Sequence, residues 1–179
     1  MRPGAVKSKL IEPFSKFRRS RTRKDELTLP RSLCHLKPIT SVDAILLWIL
    51  MEQRDESINI SHRKMPTWWE HKKFVKSNPY KVWYSVSMGK SRVGAIYLTH
   101  ANEIGIFILK KFQGLGLAQK AIKALMEELP QERYLANINP SNERSIGLFT
   151  KLGFKHIQNT YELRPDWGKF NTITEEEEK

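Results

Sequence analysis

Apolar residues recur along the chain with two periods, and the switches between them divide it into elements. "SLCHLKPI" (Ser32 to Ile39) reads as a short strand. "SVDAILLWILMEQR" (Ser41 to Arg54) changes to helical spacing, with Ala44, Leu47, Trp48 and Met51 on one stripe and Ser41 placed to cap it. The polar stretch "DESINISHRKMPT" reads as a loop. "WWEHKKFVKS" (Trp68 to Ser77) predicts a second helix, closed by Asn78 and Pro79. "YKVWYSVSM" and "VGAIYLTH" around the turn "GKSR" predict a hairpin, and after "AN" comes a further strand, "EIGIFIL" (Glu103 to Leu109).

A third helix follows. Ala118, Ala121, Ile122, Leu125, Met126 and Leu129 form one apolar stripe, and Pro130 ends it. "RYLANI" (Arg133 to Ile138) predicts a strand, and "SNERSIGLFTKL" (Ser141 to Leu152) a short helix with Gly153 just past its end. "FKHIQN" and "TYEL" predict a closing hairpin. The order β, α, α, β, β, β, α, β, α, β, β is that of an α/β chain of the α+β kind, without internal repeats.

Composition narrows the class. The 179 residues fit one domain with tails. The longest apolar run, Ala44 to Met51, falls far short of the roughly 20 residues a membrane span needs. The N-terminus lacks the apolar stretch of a secretory signal. Cys34 is the only cysteine, which excludes an internal disulfide and a cysteine-based zinc site. His35, His62 and His156 show no metal-ligand spacing. The expectation is a soluble cytoplasmic protein, monomer or homodimer, with no membrane partner and no metal.

Charge adds one feature. The formal net charge is +12, and residues 1–31 hold ten basic residues against three acidic ones. The chain therefore divides into a basic, flexible N-terminal arm (1–31), a domain (32–165) and a C-terminal tail (166–179) ending in "TEEEEK". The arm has two readings: a solvated tail, or a grip on nucleic acid.

The stretch "FILKKFQGLGLAQK" carries the chemistry. Two glycines lie between a strand and a helix, where the backbone can approach a ligand closely. The first N–H groups of the helix lack internal partners there, and the dipole favours an anion. The junction suits a phosphate or pyrophosphate. No Lys-Ser/Thr pair follows, so it is not a Walker loop. An antiparallel hairpin precedes it, so it is not the dinucleotide fingerprint.

"QGLGLA" (Gln113 to Ala118) resembles the Gln/Arg-x-x-Gly-x-Gly/Ala signature of the GNAT superfamily of acyl-CoA-dependent N-acetyltransferases. "NPSNERSIGLFTKLGF" (Asn139 to Phe154) is similar to that superfamily's second signature, and the strand order agrees. The resemblance implies a mixed, mostly antiparallel sheet of six to seven strands, splayed between the fourth and fifth, with about four helices. Acetyl-CoA would sit in the V as acyl donor. Main-chain groups of Phe107 and Ile108 would pair with its pantetheine. The backbone of Gln113, Gly114, Leu115, Gly116, Leu117 and Ala118 would cradle its pyrophosphate, with Asn139, Asn142 and Phe149 also along the cofactor.

Acyl transfer to an amine needs a base for the amine, donors for the oxyanion and a tolerable leaving group. The resemblance assigns the donor to the backbone near Phe107 and Ile108. Glu103, at the start of the fourth strand, is the first candidate base. His100 is the second. Glu70 and His71 lie on the helix that borders the acceptor site in the superfamily. Many relatives carry a tyrosine where this chain has Phe149, placed to protonate the thiolate. Phenylalanine cannot do so, which leaves Tyr84, Tyr97 and Tyr161 as substitutes, or no acid at all. "LWILMEQRDESIN…WWEHKKF" loosely resembles the branch acting on amino sugars and protein N-termini, where a Trp/Leu-rich helix is followed by an arginine.

The leading expectation is acetyl transfer to a primary amine, by direct attack in a ternary complex. The acceptor would be an amino sugar, a protein N-terminus or a small metabolite. Two alternatives stay open: an acyltransferase modifying a nucleobase or tRNA through the basic arm, and a non-catalytic acyl-CoA-binding module.

Overall fold

Four strands hydrogen-bond in the order of the chain: β1 (Cys34–Pro38), β2 (Val82–Met88), β3 (Ser91–Leu98) and β4 (Ile104–Ile108), each antiparallel to its neighbour. The structure is a computed structural model and describes residues 34–55, 57 and 64–162. The expected arm and tail, His62, and the outer ends of the first and last expected strands lie outside the described residues. Four helices accompany the sheet: α1 (Ala44–Glu52), α2 (Trp68–Ser77), α3 (Leu117–Glu128) and α4 (Glu143–Lys151). No helix among the described residues is long and apolar enough to cross a membrane.

Alternation along the strands sends side chains to two cores, one on each face of the sheet. Ile96, Leu98 and Ile104 pack with Leu117, Ala121, Ile122 and Leu125 of α3 and Phe149 of α4. On the other face, Trp83, Ala95 and Leu109 pack with Ala44, Leu47 and Leu50 of α1 and Val75 of α2. The stripe on α1 is completed by Leu50 rather than by Trp48 or Met51. Trp48 instead meets the Trp68 and His71 rings of α2 at 5.4 Å each.

Helix ends follow local chemistry. Thr67 and Glu70 form a capping box at α2, and Asn78 in the left-handed conformation closes it. A 3-10 turn, Ser41–Asp43, leads into α1; Thr40 caps that turn and Asp43 stands at the N-cap of α1, so Ser41 caps neither. Asp43 is fully buried and accepts from Thr40 N at 2.9 Å and Thr40 Oγ1 at 3.0 Å, while Arg92 of β3 meets its Oδ1 at 2.6 Å. Asp43→Ala should therefore destabilise the domain by about 2–3 kcal/mol, through the lost cap and the lost charged hydrogen bonds. Urea unfolding measures this. A change under about 0.5 kcal/mol, the size of an ordinary surface substitution, would show that the buried carboxylate holds nothing together.

Two expected elements differ. Residues 133–138 do not form a ladder. Leu135 alone makes a parallel bridge to Glu103, with Ile104 N to Leu135 O at 2.8 Å and Leu135 N to Asn102 O at 2.9 Å. Beyond that point no backbone bond joins this segment to β4 among the described residues, and the two part in a V. The closing hairpin is also absent from residues 154–162. Phe154 packs on Phe149, but Ile157 and Tyr161 are exposed and bury no side chain against the described residues. Among the described residues the sheet thus has four strands and one bridge, not six or seven strands.

Candidate active site

The V opens at Glu103, and its free edge is β4. Glu103 O accepts from Thr99 N, and Leu109 N donates to Val93 O, so both of these residues turn toward β3. In an antiparallel ladder such pairs alternate. With Gly105 opposite Tyr97 and Phe107 opposite Ala95, the main-chain groups of Gly105 and Phe107 also face β3. Those of Ile106 and Ile108 face the open edge. Ile108 O accepts from Gln113 Nε2 at 2.7 Å. The Gln113 side chain also reaches across to Arg144 of α4, through its Oε1.

Past β4 the chain makes a 3-10 turn at Lys110–Phe112 and enters α3 through the glycines. Gly114 and Gly116 hold φ of 80° and 72°, and a Cβ on either would meet nothing within 4 Å. Glycine is required there by the backbone conformation, not by crowding. Gly116 caps α3 with no side-chain bond, so the first amides of the helix point outward unpaired. Leu117 anchors this turn in the core while Leu115 lies exposed. These residues fit a bound pyrophosphate: open space, bare backbone and free N–H groups at one helix end.

The opposite face of β4, toward α1 and α2, holds the polar groups. Glu103 is half-buried, and its Oε1 accepts from Asn137 Nδ2 at 2.8 Å and its Oε2 from Thr99 Oγ1 at 3.2 Å. Tyr97 lies across Gly105, where an added Cβ would come within 2.0 Å of the ring. Tyr80 stacks on Tyr97 with centroids 4.0 Å apart. Burial raises both phenol pKa values, Tyr80 to about 12 with help from its neighbour Tyr97. Both therefore stay protonated donors at neutral pH. Arg54 covers the Phe107 ring at 3.9 Å. The segment carrying it ties the limbs of the V together: Lys110 N donates to Gln53 Oε1 at 2.8 Å, and Asn139 Nδ2 to Ser57 O at 3.3 Å.

The family model described as "Acetyltransferase (GNAT) family" matches residues 45–154, more than half of the chain. The chain belongs to this family. It is an acetyltransferase. No curated protein sequence matches it. Solved structures with a similar fold include spermidine/spermine N-acetyltransferase SpeG from Vibrio cholerae, in mutant forms. It has a TM-score of 0.58 and 16% identity over 69% of this chain and 80% of that one. RimL, a ribosomal alpha-N-protein acetyltransferase in complex with coenzyme A, has a TM-score of 0.57 and 16% identity over 67% of this chain and 78% of that one. The microcin self-immunity acetyltransferase MccE, in complex with acetyl-CoA and AMP, has 0.55 and 18% over 73% and 86%.

Within this GNAT domain the expected site residues separate by place. Glu103 and Gln113 to Ala118 lie along β4 and the turn that follows it. Of the pair Phe107 and Ile108, only Ile108 presents its main chain to the V; Phe107 uses its own on β3 and offers its ring to Arg54. His100 sits exposed in the turn before β4. Asn142 caps α4 by accepting from Ser145 N at 3.1 Å, and Asn139 accepts from Ser141 N at 2.9 Å. Phe149 is buried against Phe154 with centroids 5.0 Å apart.

Glu70 is the α2 capping carboxylate, held below the usual range by the Thr67 backbone and hydroxyl. Buried His71 bonds Ala44 O at 2.8 Å. Both are fixed by these structural bonds. Tyr84 bonds Glu128 of α3, Tyr161 is exposed, and Tyr97 alone of the three tyrosines lies beside Glu103. Sequence reasoning missed Tyr80 and Asn137. Neither falls in a motif, and only the folding of distant segments onto β4 brings them in.

Proposed function

We propose that this GNAT enzyme transfers acetyl from acetyl-CoA to a primary amine by direct attack within a ternary complex. The observation that carries this reading is the placement of Glu103. Its carboxylate is held by two side-chain donors at the root of the V, at the start of the strand whose other end leads into the glycine turn.

Acetyl-CoA supplies, when bound, an activated thioester. Its pyrophosphate would be held by the amides of Gly114 to Ala118, and its pantetheine by the open edge of β4 at Ile106 and Ile108. The Ile108 N–H would be the donor for the carbonyl oxygen. An alkyl amine is mostly protonated in neutral water, with a pKa of about 10.4 for lysine. Glu103 accepts that proton, directly or through one water, with the lone pairs its Thr99 and Asn137 bonds leave free. The departing thiolate needs no acid from Phe149, since a thiol of pKa about 8.5 leaves readily.

Cys34 does not offer a covalent route. Burial raises its thiol pKa, opposed only by Lys120. Its strand, β1, lies three strands from β4, about 14 Å across the sheet at roughly 4.8 Å per strand. Initial rates with varied acetyl-CoA and amine should therefore give intersecting lines. Parallel lines, the mark of a ping-pong covalent intermediate, would overturn direct attack. Absence of amine-dependent CoA release across amino sugars, peptide N-termini and small amines would overturn the acceptor class.

A further inference from the structure

One cation on the acceptor face has no counter-ion among the described residues. The guanidinium of Arg54 lies over Phe107, and its Nε is buried without a hydrogen-bond partner. The nearby acids among the described residues are engaged elsewhere. Asp55 accepts from Ser57 N and Oγ, Glu52 takes the Trp48 indole N–H at 2.7 Å, and Glu103 is held by Thr99 and Asn137. Burial lowers the Arg54 pKa, and the groups set against it are the phenols of Tyr97 and Tyr80. Partly desolvating a guanidinium is costly, no anion among the described residues stands beside this one, and something must offset that cost. A guanidinium stacked on a ring uses its flat face there and keeps its N–H edge for a planar anion.

The second half of the pattern is the opposite charge on the same face. Glu103 and Phe107 are four residues apart on one side of β4, about 14 Å of strand at roughly 3.4 Å per residue. Tyr97 lies between them and feels both Arg54 and Glu103. An acceptor on this face meets a carboxylate at one end and, at the other, a cation with no acidic partner among the described residues.

We propose that the acceptor is an amine that also carries an anionic group, a carboxylate or a phosphate, and that Arg54 binds that group. This rests on the N-acetyltransferase reading and narrows it. The amine is turned toward Glu103 and the anion toward Arg54, with the tyrosine pair as the floor between them. A diamine would bring a second cation against Arg54 and is selected against.

The test compares hexylamine, 6-aminohexanoate, 6-aminohexyl phosphate and 1,6-diaminohexane, amines that differ at the far end and are long enough to reach from Glu103 to Arg54. Binding is read by saturation-transfer NMR on the CoA-bound protein, and transfer by CoA release. 6-Aminohexanoate or 6-aminohexyl phosphate should bind about 10- to 100-fold tighter than hexylamine, the range for one charged hydrogen-bonded contact. Which of the two wins distinguishes carboxylate from phosphate. 1,6-Diaminohexane should be weakest. Arg54→Gln should abolish the preference, and Arg54→Lys should retain part of it. Acetyl-CoA affinity and Tm report that each variant is folded. Equal binding of anionic and neutral amines by the wild type, or an unchanged preference in folded Arg54→Gln, overturns the assignment; the wild-type comparison and Arg54→Lys decide it if Arg54→Gln does not fold. Selective binding without CoA release from any amine would leave Arg54 assigned and overturn the transfer reading instead.

Discussion

Glu103→Gln should lower kcat by about 10²–10⁴-fold, the range for losing a positioned general base, while acetyl-CoA affinity stays within about twofold. Glutamine keeps the length and shape of the side chain. Its carbonyl oxygen can still accept from Asn137 Nδ2, now bonded at 2.8 Å, so the root of the V is preserved. What the amide cannot do is take a proton from an ammonium. Stopped-flow or steady-state CoA release at several pH values, with calorimetry for acetyl-CoA, separates the two effects. A wild-type rate in Glu103→Gln moves the base elsewhere, and His100 in the adjacent turn is tested next.

Gly116→Val should weaken acetyl-CoA binding by about 10- to 100-fold, the scale of one or two lost charge-assisted hydrogen bonds. Residue 116 holds φ of 72°. A side chain in that region costs roughly 1–2 kcal/mol per residue, and a β-branched one is a marked outlier there. The space around it is open, so the valine meets no wall. Its backbone instead relaxes toward negative φ, which turns the first α3 amides away from a common point. The core below, anchored by Leu117, Ala121 and Ile122, should hold, so the variant remains folded. Calorimetry with acetyl-CoA decides. Unchanged affinity in a folded Gly116→Val protein would remove the pyrophosphate from this turn.

Local signals made much of the fold legible. α2 begins and ends at the residues its sequence indicates, because Thr67, Glu70 and Asn78 each act within a few residues of themselves. The β2–β3 hairpin and α3 follow from alternation and stripe in the same way. The start of α1 is misread from sequence: Ser41 is expected to cap it, but Thr40 and Asp43 form a capping box around a 3-10 turn that precedes the helix. The fifth strand was not legible. "RYLANI" has a strand's pattern, but strands exist only where backbone pairs, and here the pairing stops at Leu135. That interruption is what opens the V. The glycine turn and Glu103 could be found from sequence because each belongs to a contiguous pattern. Arg54, Tyr80 and Asn137 come from separate segments, and only the packing of α1 and of residues 133–138 around β4 gives them a common address.

Tyr97 resting on Gly105 has a consequence for anyone wishing to change what this enzyme accepts. The lower ring of the pair occupies the space of a missing side chain on β4. Its height above the strand is therefore set by the main chain, and adding bulk at position 105 would lift the whole stack. The upper ring, Tyr80, has no such restraint from below except its partner. Libraries that vary position 80 while leaving 97 and 105 untouched would reshape the exposed side of that floor and leave β4 where it is.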